Sequence, residues 1–272
     1  MNQQATLAYL ARIGIHEGVE VSPEGLAHLH LQHLRTVPFE NLSRFLDEPV
    51  ALNPAHLWDK LVTRRRGGFC YEVNAAFSCL LDSLGFDVSL LSAQVFDGAA
   101  LSPPHDHLLL LVHFDQGDYL ADVGFGDSFL LPLPLTGAAC YQAGTGYRLV
   151  DRQDRLVLER SKDRQPWRQQ YRFDLAPQDI AVFADRCAYH RLSPESRFTQ
   201  NLICSLARPD GRISLSGTRL IITLGADRLE QPIADAATLR QCLHKHFGIE
   251  LSGEQAARLF SAAAESTPVR RG

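Results

Sequence analysis

No two cysteines in this sequence are spaced as Cys-x-x-Cys; the six, Cys70, Cys79, Cys140, Cys187, Cys204 and Cys242, are scattered. That scatter excludes a zinc knuckle, and in 272 residues it argues against a disulfide framework, so reduced thiols are expected. Nowhere do about 18 apolar residues follow one another, the length a membrane-spanning helix needs. Met1 to Ile15 has neither a basic leader region nor an unbroken apolar stretch, and it is not read as a signal peptide. A soluble, cytoplasmic protein without a membrane partner is the expectation. Basic charge is not in excess, with 27 Lys and Arg against 31 Asp and Glu and a net charge of -4. Such a balance gives no electrostatic reason to seek phosphate backbones, so nucleic acid is not an expected partner. Repeats and low-complexity tracts are also missing.

What is present is core material, 45% hydrophobic residues, enough for one large domain or two to three small ones sharing a cleft. Apolar spacing predicts helices over Asn2 to Ile13, Glu24 to Leu34 and Pro54 to Val62, with Pro23 and Pro54 at first-turn positions. The clearest helix is Cys70 to Leu84, with Val73, Phe77, Leu80, Leu81 and Leu84 on one face and Gly85 as its stop. From Asp87 the pattern turns to strands: Val88 to Phe96, His107 to Phe114 and Tyr119 to Val123, then shorter ones around Gly146 to Val150, Leu156 to Glu159 and Gln169 to Asp174. This middle third reads as a β-rich barrel or sandwich. Past Pro177 a linking helix to Tyr189 and an irregular stretch, Leu192 to Asn201, precede strands at Ile203 to Ala207, Arg212 to Ser216 and Arg219 to Leu224. Two helices, Ala236 to Phe247 and Gly253 to Ala264, follow, and the tail Thr267 to Gly272 is expected to fray. The class is α+β.

Chemistry concentrates in Arg66-Gly67-Gly68-Phe69-Cys70-Tyr71-Glu72, where two glycines precede a helix with a cysteine in its first turn. A helix N-terminus favours the thiolate, the form that attacks carbonyls. A buried structural cysteine is the competing reading here, as it is for the other five. His107 opens an apolar strand and Asp122 lies in the returning one, where an acidic group needs a partner. Together with Cys70 they supply nucleophile, base and orienting carboxylate, a cysteine-protease-like Cys-His-Asp core. A hairpin centred on Gln116-Gly117 would put Asp122 opposite Leu111, about 13 Å along the strand from His107 at ~3.3 Å per residue. A bulge, a different turn or non-neighbouring strands would each resolve this. His28, His30 and His33 are read as a solvated helix face rather than a metal site, and no metal is expected. His105 falls in a loop, Gly144-Thr145-Gly146 is a turn, and Arg64-Arg65-Arg66 is too short for a basic patch.

Val37-Pro38-Phe39-Glu40-Asn41-Leu42, the Arg66 to Glu72 heptad, His107 and Asp122-Val123-Gly124-Phe125-Gly126 together resemble the arylamine N-acetyltransferase family, in order and over most of the chain. The resemblance implies three parts: a helical bundle over 1–86 carrying the nucleophile, a β-barrel over 87–190 carrying His107 and Asp122, and an α/β lid over 191–272. It implies acetyl-CoA as co-substrate and arylamines, hydrazines or N-hydroxyarylamines as acceptors, through an acetyl-cysteine. It also suggests an ion pair between Glu40 and Arg66 holding Pro38 to Leu42 against the nucleophile loop. Phe39 and Phe125 would wall the amine site. The missing Cβ atoms of Gly124 and Gly126 would let a pantetheine arm approach the main chain, and Tyr189 to Asn201, with Ser196, Arg197 and Phe198, resembles a segment that contacts CoA. A thiol hydrolase or transglutaminase-like enzyme, an amide synthase closing a macrocycle, and a binding module with a vestigial triad are the alternative readings. Oligomeric state is left open.

Overall fold

The computed structural model describes residues 1–98, 100–162 and 165–265. The tail expected to fray lies outside them. Caps set the first helices: α1 (Gln3–Arg12) opens on Asn2 and α2 (Pro23–Thr36) on Ser22, whose side chains accept from the Ala5 and Gly25 amides. After β1 (Phe39–Glu40) and α3 (Leu42–Leu46) comes α4 (Pro54–Trp58), capped by Asn53 and continued by a π-helical turn, Asp59–Thr63. Pro23 and Pro54 sit at first-turn positions.

Helix α5 (Cys70–Ser83) differs in kind, because every residue from Cys70 to Phe77 is buried. Its first two turns are therefore enclosed all round, while the later part keeps the expected one-sided face, with Leu80 and Leu81 buried and Asp82 exposed. Glu72 and Asn74, off the apolar face, tolerate this because each is partnered; the Lys60 ammonium lies 2.6 Å from Glu72 Oε1, both side chains enclosed.

Nine strands follow among the described residues: β2 (Asp87–Asp97), β3 (Ala100–Leu101), β4 (His107–His113), β5 (Tyr119–Ala121), β6 (Leu133–Pro134), β7 (Cys140–Gln142), β8 (Thr145–Asp151), β9 (Leu156–Lys162) and β10 (Arg168–Phe173). Apart from β3, which pairs only with β2, they order as β6-β5-β4-β2-β10-β9-β8-β7. Gln142 stitches the two ends: its side-chain oxygen accepts from the Leu130 and Leu131 amides, and its nitrogen donates to the Leu131 carbonyl. The result is a nearly closed antiparallel barrel. Strand β4 shows no polar alternation because both faces are covered. Leu108, Leu110 and Val112 join the helical core, while Leu109 and Leu111 fill the barrel.

Helices α6 (Ala184–Leu192) and α7 (Arg197–Gln200) lead into a second sheet of β11 (Ile203–Arg208), β12 (Gly211–Ser216), β13 (Arg219–Leu224) and β14 (Asp227–Pro232), followed by α8 (Ala236–Phe247) and α9 (Gly253–Glu265). Its order is β1-β11-β12-β13-β14, so the first strand comes from the N-terminal part, with Phe39 opposite Ser205 and Glu40 opposite Cys204. Leu42 and Leu46 of α3 pack into the same core as Leu202, Leu239 and Leu243. Neither the loan of β1 nor the exposed edge strand β14 was expected from the sequence. Among the described residues no helix is long and apolar enough to cross a membrane.

Candidate active site

Cys70 is the first residue of α5, and the segment Pro38–Glu40 holds it there. The Glu40 amide donates to the Gly68 carbonyl at 3.0 Å, and the Gly68 amide to the Pro38 carbonyl at 3.3 Å. A Cβ on Gly67 would sit 1.8 Å from the Pro38 carbonyl oxygen, so close approach of two backbones requires that glycine. Arg66 grips Glu40 with two bonds, Nε to Oε1 at 2.9 Å and Nη2 to Oε2 at 3.2 Å, and both side chains are buried. Burial pushes the Glu40 carboxyl up, but Arg66, Lys60 and the Leu42 amide outweigh it and hold the group below the ordinary range.

Strand register brings the next two residues together. Leu110 lies opposite Ala121 and Val112 opposite Tyr119, so the turn is centred one residue earlier than Gln116-Gly117 and the pairing moves by two. A misplaced turn, not a bulge, was the error. Asp122 then comes within reach of His107, whose Nε2 is 2.8 Å from Oδ2 with both side chains enclosed. The other carboxylate oxygen accepts from Asn74 Nδ2 and from the Gly124 amide, each at 2.9 Å. Burial alone would raise the Asp122 carboxyl; His107, Asn74 and the Gly124 amide together hold it lowered.

Asn74, one turn along from Cys70, ties the nucleophile helix to both strands. Besides Asp122 it donates to the Leu108 carbonyl at 2.6 Å and accepts from the Val123 amide at 2.9 Å. The sequence reading missed it, although an amide four residues beyond the cysteine, in an otherwise apolar helix, was a usable signal. His30 is a second omission and a correction. Only His28 of the expected solvated face is exposed; His30 and His33 are fully buried. His30 Nε2 accepts from the Asp122 amide at 3.1 Å and its Nδ1 lies 2.9 Å from the Leu130 carbonyl, so it holds the acidic strand end in place. Tyr171 is the third, fully buried with its ring 5.3 Å from His107 and 5.0 Å from Phe125.

The Cys70 thiol sits in an enclosed environment. The residue is 4% exposed, and burial pushes its thiol well up, with only partial relief from the Leu108 backbone amide. Burial thus opposes the thiolate that a helix N-terminus favours.

A model of the N-acetyltransferase family matches residues 23–256. The chain belongs to this family. It is 34% identical to the arylamine N-acetyltransferase of Escherichia coli strain K12 over 246 residues, 89% of this chain and 87% of that protein. Its fold superposes on the arylamine N-acetyltransferase structure from Salmonella typhimurium with a TM-score of 0.90 at 28% identity, covering 96% of this chain and all (100%) of the other. The Mycobacterium marinum arylamine N-acetyltransferase in complex with CoA gives 0.86 at 32% identity, covering 94% of this chain and 99% of that one.

Within this N-acetyltransferase fold the remaining expected residues fall in two places. Phe125, half-buried, packs edge-on to His107 at 5.2 Å. Phe39, also half-buried, faces Gly126 and lies 6.0 Å from Phe198, which in turn is 6.0 Å from Phe69. Gly126 has φ +86°, a conformation that disfavours any side chain. Gly124 leaves no room for a pantetheine arm: a Cβ there would lie 2.7 Å from the Cys70 Cα and from Asn74 Nδ2. Ser196 is buried, its hydroxyl engaged by His190 Nδ1 at 3.0 Å and by the Phe198 amide at 3.2 Å. Arg197 pairs with Asp97 at the surface. Among the described residues no group of three or more His, Cys, Asp or Glu could hold a metal ion.

Proposed function

We propose that this chain transfers the acetyl group of acetyl-CoA to arylamines and arylhydrazines, and to the oxygen of N-hydroxyarylamines, by a ping-pong reaction through acetyl-Cys70. The observation that carries the proposal is the enclosed His107 to Asp122 pair, tied by Asn74 to the helix that begins with Cys70. In the first half-reaction Cys70 sulfur attacks the thioester carbonyl as His107 takes its proton, and the C–S bond to CoA breaks as His107 returns that proton to the departing thiol. In the second, the amine nitrogen attacks the acetyl-cysteine carbonyl, His107 accepts the nitrogen's proton, and the Cys70 thiol is restored. Asp122 stays ionised throughout and holds the imidazole in the productive tautomer. Exchange between two thioesters is nearly balanced in free energy, so the intermediate keeps enough reactivity for a weakly basic nitrogen.

Phe39 and Phe125 are the proposed walls of the amine site, flat faces that suit an aromatic ring. Gly126 and Phe198 belong to the proposed cofactor approach, and Ser196 supports it from inside. The proposed division of labour keeps the nucleophile on 1–86, the base and carboxylate on 87–190 and the lid on 191–272, in a cytoplasmic setting. Brief mixing with acetyl-CoA followed by intact-protein mass spectrometry tests the reading. The protein should gain one acetyl group, lose it on addition of an arylamine, and gain none as Cys70→Ala; a wild-type protein that stays unacetylated rejects the proposal.

A further inference from the structure

Immediately before His107, Asp106 anchors a chain of hydrogen bonds the acetyl-transfer chemistry does not use. Its Oδ1 accepts from Arg186 Nε at 3.0 Å and from Arg186 Nη2, and lies 2.9 Å from His190 Nε2. On the opposite side of the ring, His190 Nδ1 lies 3.0 Å from Ser196 Oγ. With Nε2–H donating to Asp106, Nδ1 accepts the Ser196 hydroxyl proton and leaves the hydroxyl oxygen to accept from the Phe198 amide at 3.2 Å. The Phe198 carbonyl is fixed as well, accepting from Asn41 Nδ2 at 2.8 Å, and Asn41 directly follows the Pro38–Glu40 segment that braces the turn ahead of Cys70. Asp106, in the turn before β4, is thus linked through His190 of α6 and Ser196 to the Phe198 amide, while Asn41 holds the carbonyl.

This much fixing serves the ring. Phe198 is only half-buried and stands between three aromatic partners, Phe39 and Phe69 each at 6.0 Å and His190 at 5.2 Å. Phe69 is the residue before Cys70. Arg186 stiffens the linking helix from outside, its guanidinium 4.1 Å above the Tyr189 ring. Asp106 is held lowered, since Arg186 and His190 outweigh the burial that would raise it, so the chain keeps its charged end at neutral pH.

We propose that His190 is a positioning residue which, through Ser196, seats the Phe198 ring beside the nucleophile turn and so shapes the path by which a thioester reaches Cys70. The proposal rests on the acetyl-transfer reading, and it deepens it by assigning Asp106, His190 and Ser196 to the approach rather than to bond making. Releasing the ring should change access to Cys70 more than the chemistry there.

The test uses the full-length protein with His190→Gln, Ser196→Ala, Ser196→Thr and Phe198→Ala. Stopped-flow acetylation gives the half-saturating acetyl-CoA concentration and the limiting rate; peptide mass spectrometry gives the iodoacetamide labelling rate of Cys70, which needs no acetyl-CoA. For His190→Gln and Ser196→Ala the half-saturating concentration should rise about tenfold while the limiting rate stays within about threefold, a split expected when approach rather than transition state is altered. Cys70 labelling should quicken several-fold, and Ser196→Thr, which keeps the hydroxyl, should restore both. In a Phe198→Ala background Ser196→Ala should add nothing further, the non-additivity expected of residues acting through one another. Full additivity in that background, or unchanged labelling and half-saturation in the single variants, overturns the proposal. If the wild type takes no acetyl group, the acetyl-transfer reading fails, and the labelling and its additivity still decide the role of His190.

Discussion

Asn74 and Asp122 are joined by a 2.9 Å hydrogen bond between elements that the sequence separates by 48 positions, and through it the helix bearing Cys70 is keyed to the strand bearing the carboxylate. The relationship makes the acid's orientation a property of the nucleophile helix. Replacing Asn74 by Ala leaves the Leu108 carbonyl, one Asp122 oxygen and the Val123 amide each short of a buried partner. About 1–3 kcal/mol of stability should be lost for each group that finds no water. Cys70 acetylation should fall at least about tenfold even at a temperature where the variant is fully folded. Stopped-flow acetylation alongside a melting curve checks this, and a rate that tracks only the folded fraction would count against it.

Asp122→Asn should preserve the fold and lower the acetylation rate by about 10³- to 10⁴-fold, the scale seen when a triad histidine is left in the wrong tautomer. An amide NH₂ turned toward His107 Nε2 would place the ring's proton on Nδ1 and remove its capacity as a base there. Near-normal turnover would reject the assignment of Asp122.

Glu40→Gln should destabilise the protein, by less than the about 3–5 kcal/mol of a fully unpaired buried charge, because the enclosed Arg66 guanidinium loses its main counter-charge and keeps Glu48 at 3.1 Å. Cys70 acetylation should slow too, since the Pro38–Glu40 segment braces Gly67 and Gly68. Denaturant titration and stopped-flow measure the two effects; unchanged folding together with an unchanged rate would sink the bracing role.

Acid should weaken the fold in two stages. Burial pulls His30 down from 6.5 to about 4 and His33 well below its ordinary value, so both are neutral in the native state and the unfolded chain binds more protons below 6.5. Stability therefore falls as pH drops from 6.5 toward 4, by roughly 3 kcal/mol for His30 alone. Asp122 and Glu40, both held lowered, contribute stability that is present above their unfolded values of 3.8 and 4.5 and is lost as pH falls below those. Melting temperatures should decline from about pH 6.5 downward, and His30→Gln, less stable at neutral pH, should show a shallower first stage. A wild-type midpoint that holds constant to pH 5 would contradict this.

Phe125→Ser should reorder the preference among arylamines while leaving the rate of Cys70 acetylation within about threefold, because the lost ring borders the histidine rather than holding it. A panel of ring-substituted amines gives the comparison; an identical ranking removes Phe125 from the amine site.

The residues with local signals were legible in the sequence. Cys70 announces itself by the Gly-Gly turn and helix start, and α2, α5 and the barrel strands follow their apolar periods and caps. What escaped depends on contacts between distant segments. The His107 to Asp122 pairing hung on a turn whose centre differs by a single residue, and composition does not fix that. His30 and His33 were judged by polarity, but the barrel side supplies partners for the His30 ring and Tyr9 of α1 supplies one for His33. Glu72 and Asn74 lie off the apolar face that the periodicity picks out, and a second layer closes over them. Gly124 was correctly singled out for lacking a Cβ, while the occupant of that space proved to be the nucleophile's own backbone.

The loan of Phe39–Glu40 to the second sheet has a consequence for how the protein is made. Its partner strand begins at Ile203, so the bracing segment has no edge to pair with until most of the chain has left the ribosome. Until then Leu42 and Leu46 lack their neighbours Leu202 and Leu206, and the segment that braces the turn ahead of Cys70 holds to Gly68 without its pairing to Cys204 and Ser205. The backbone that braces the Cys70 turn is thus shared with the last third of the chain, whose folding completes it.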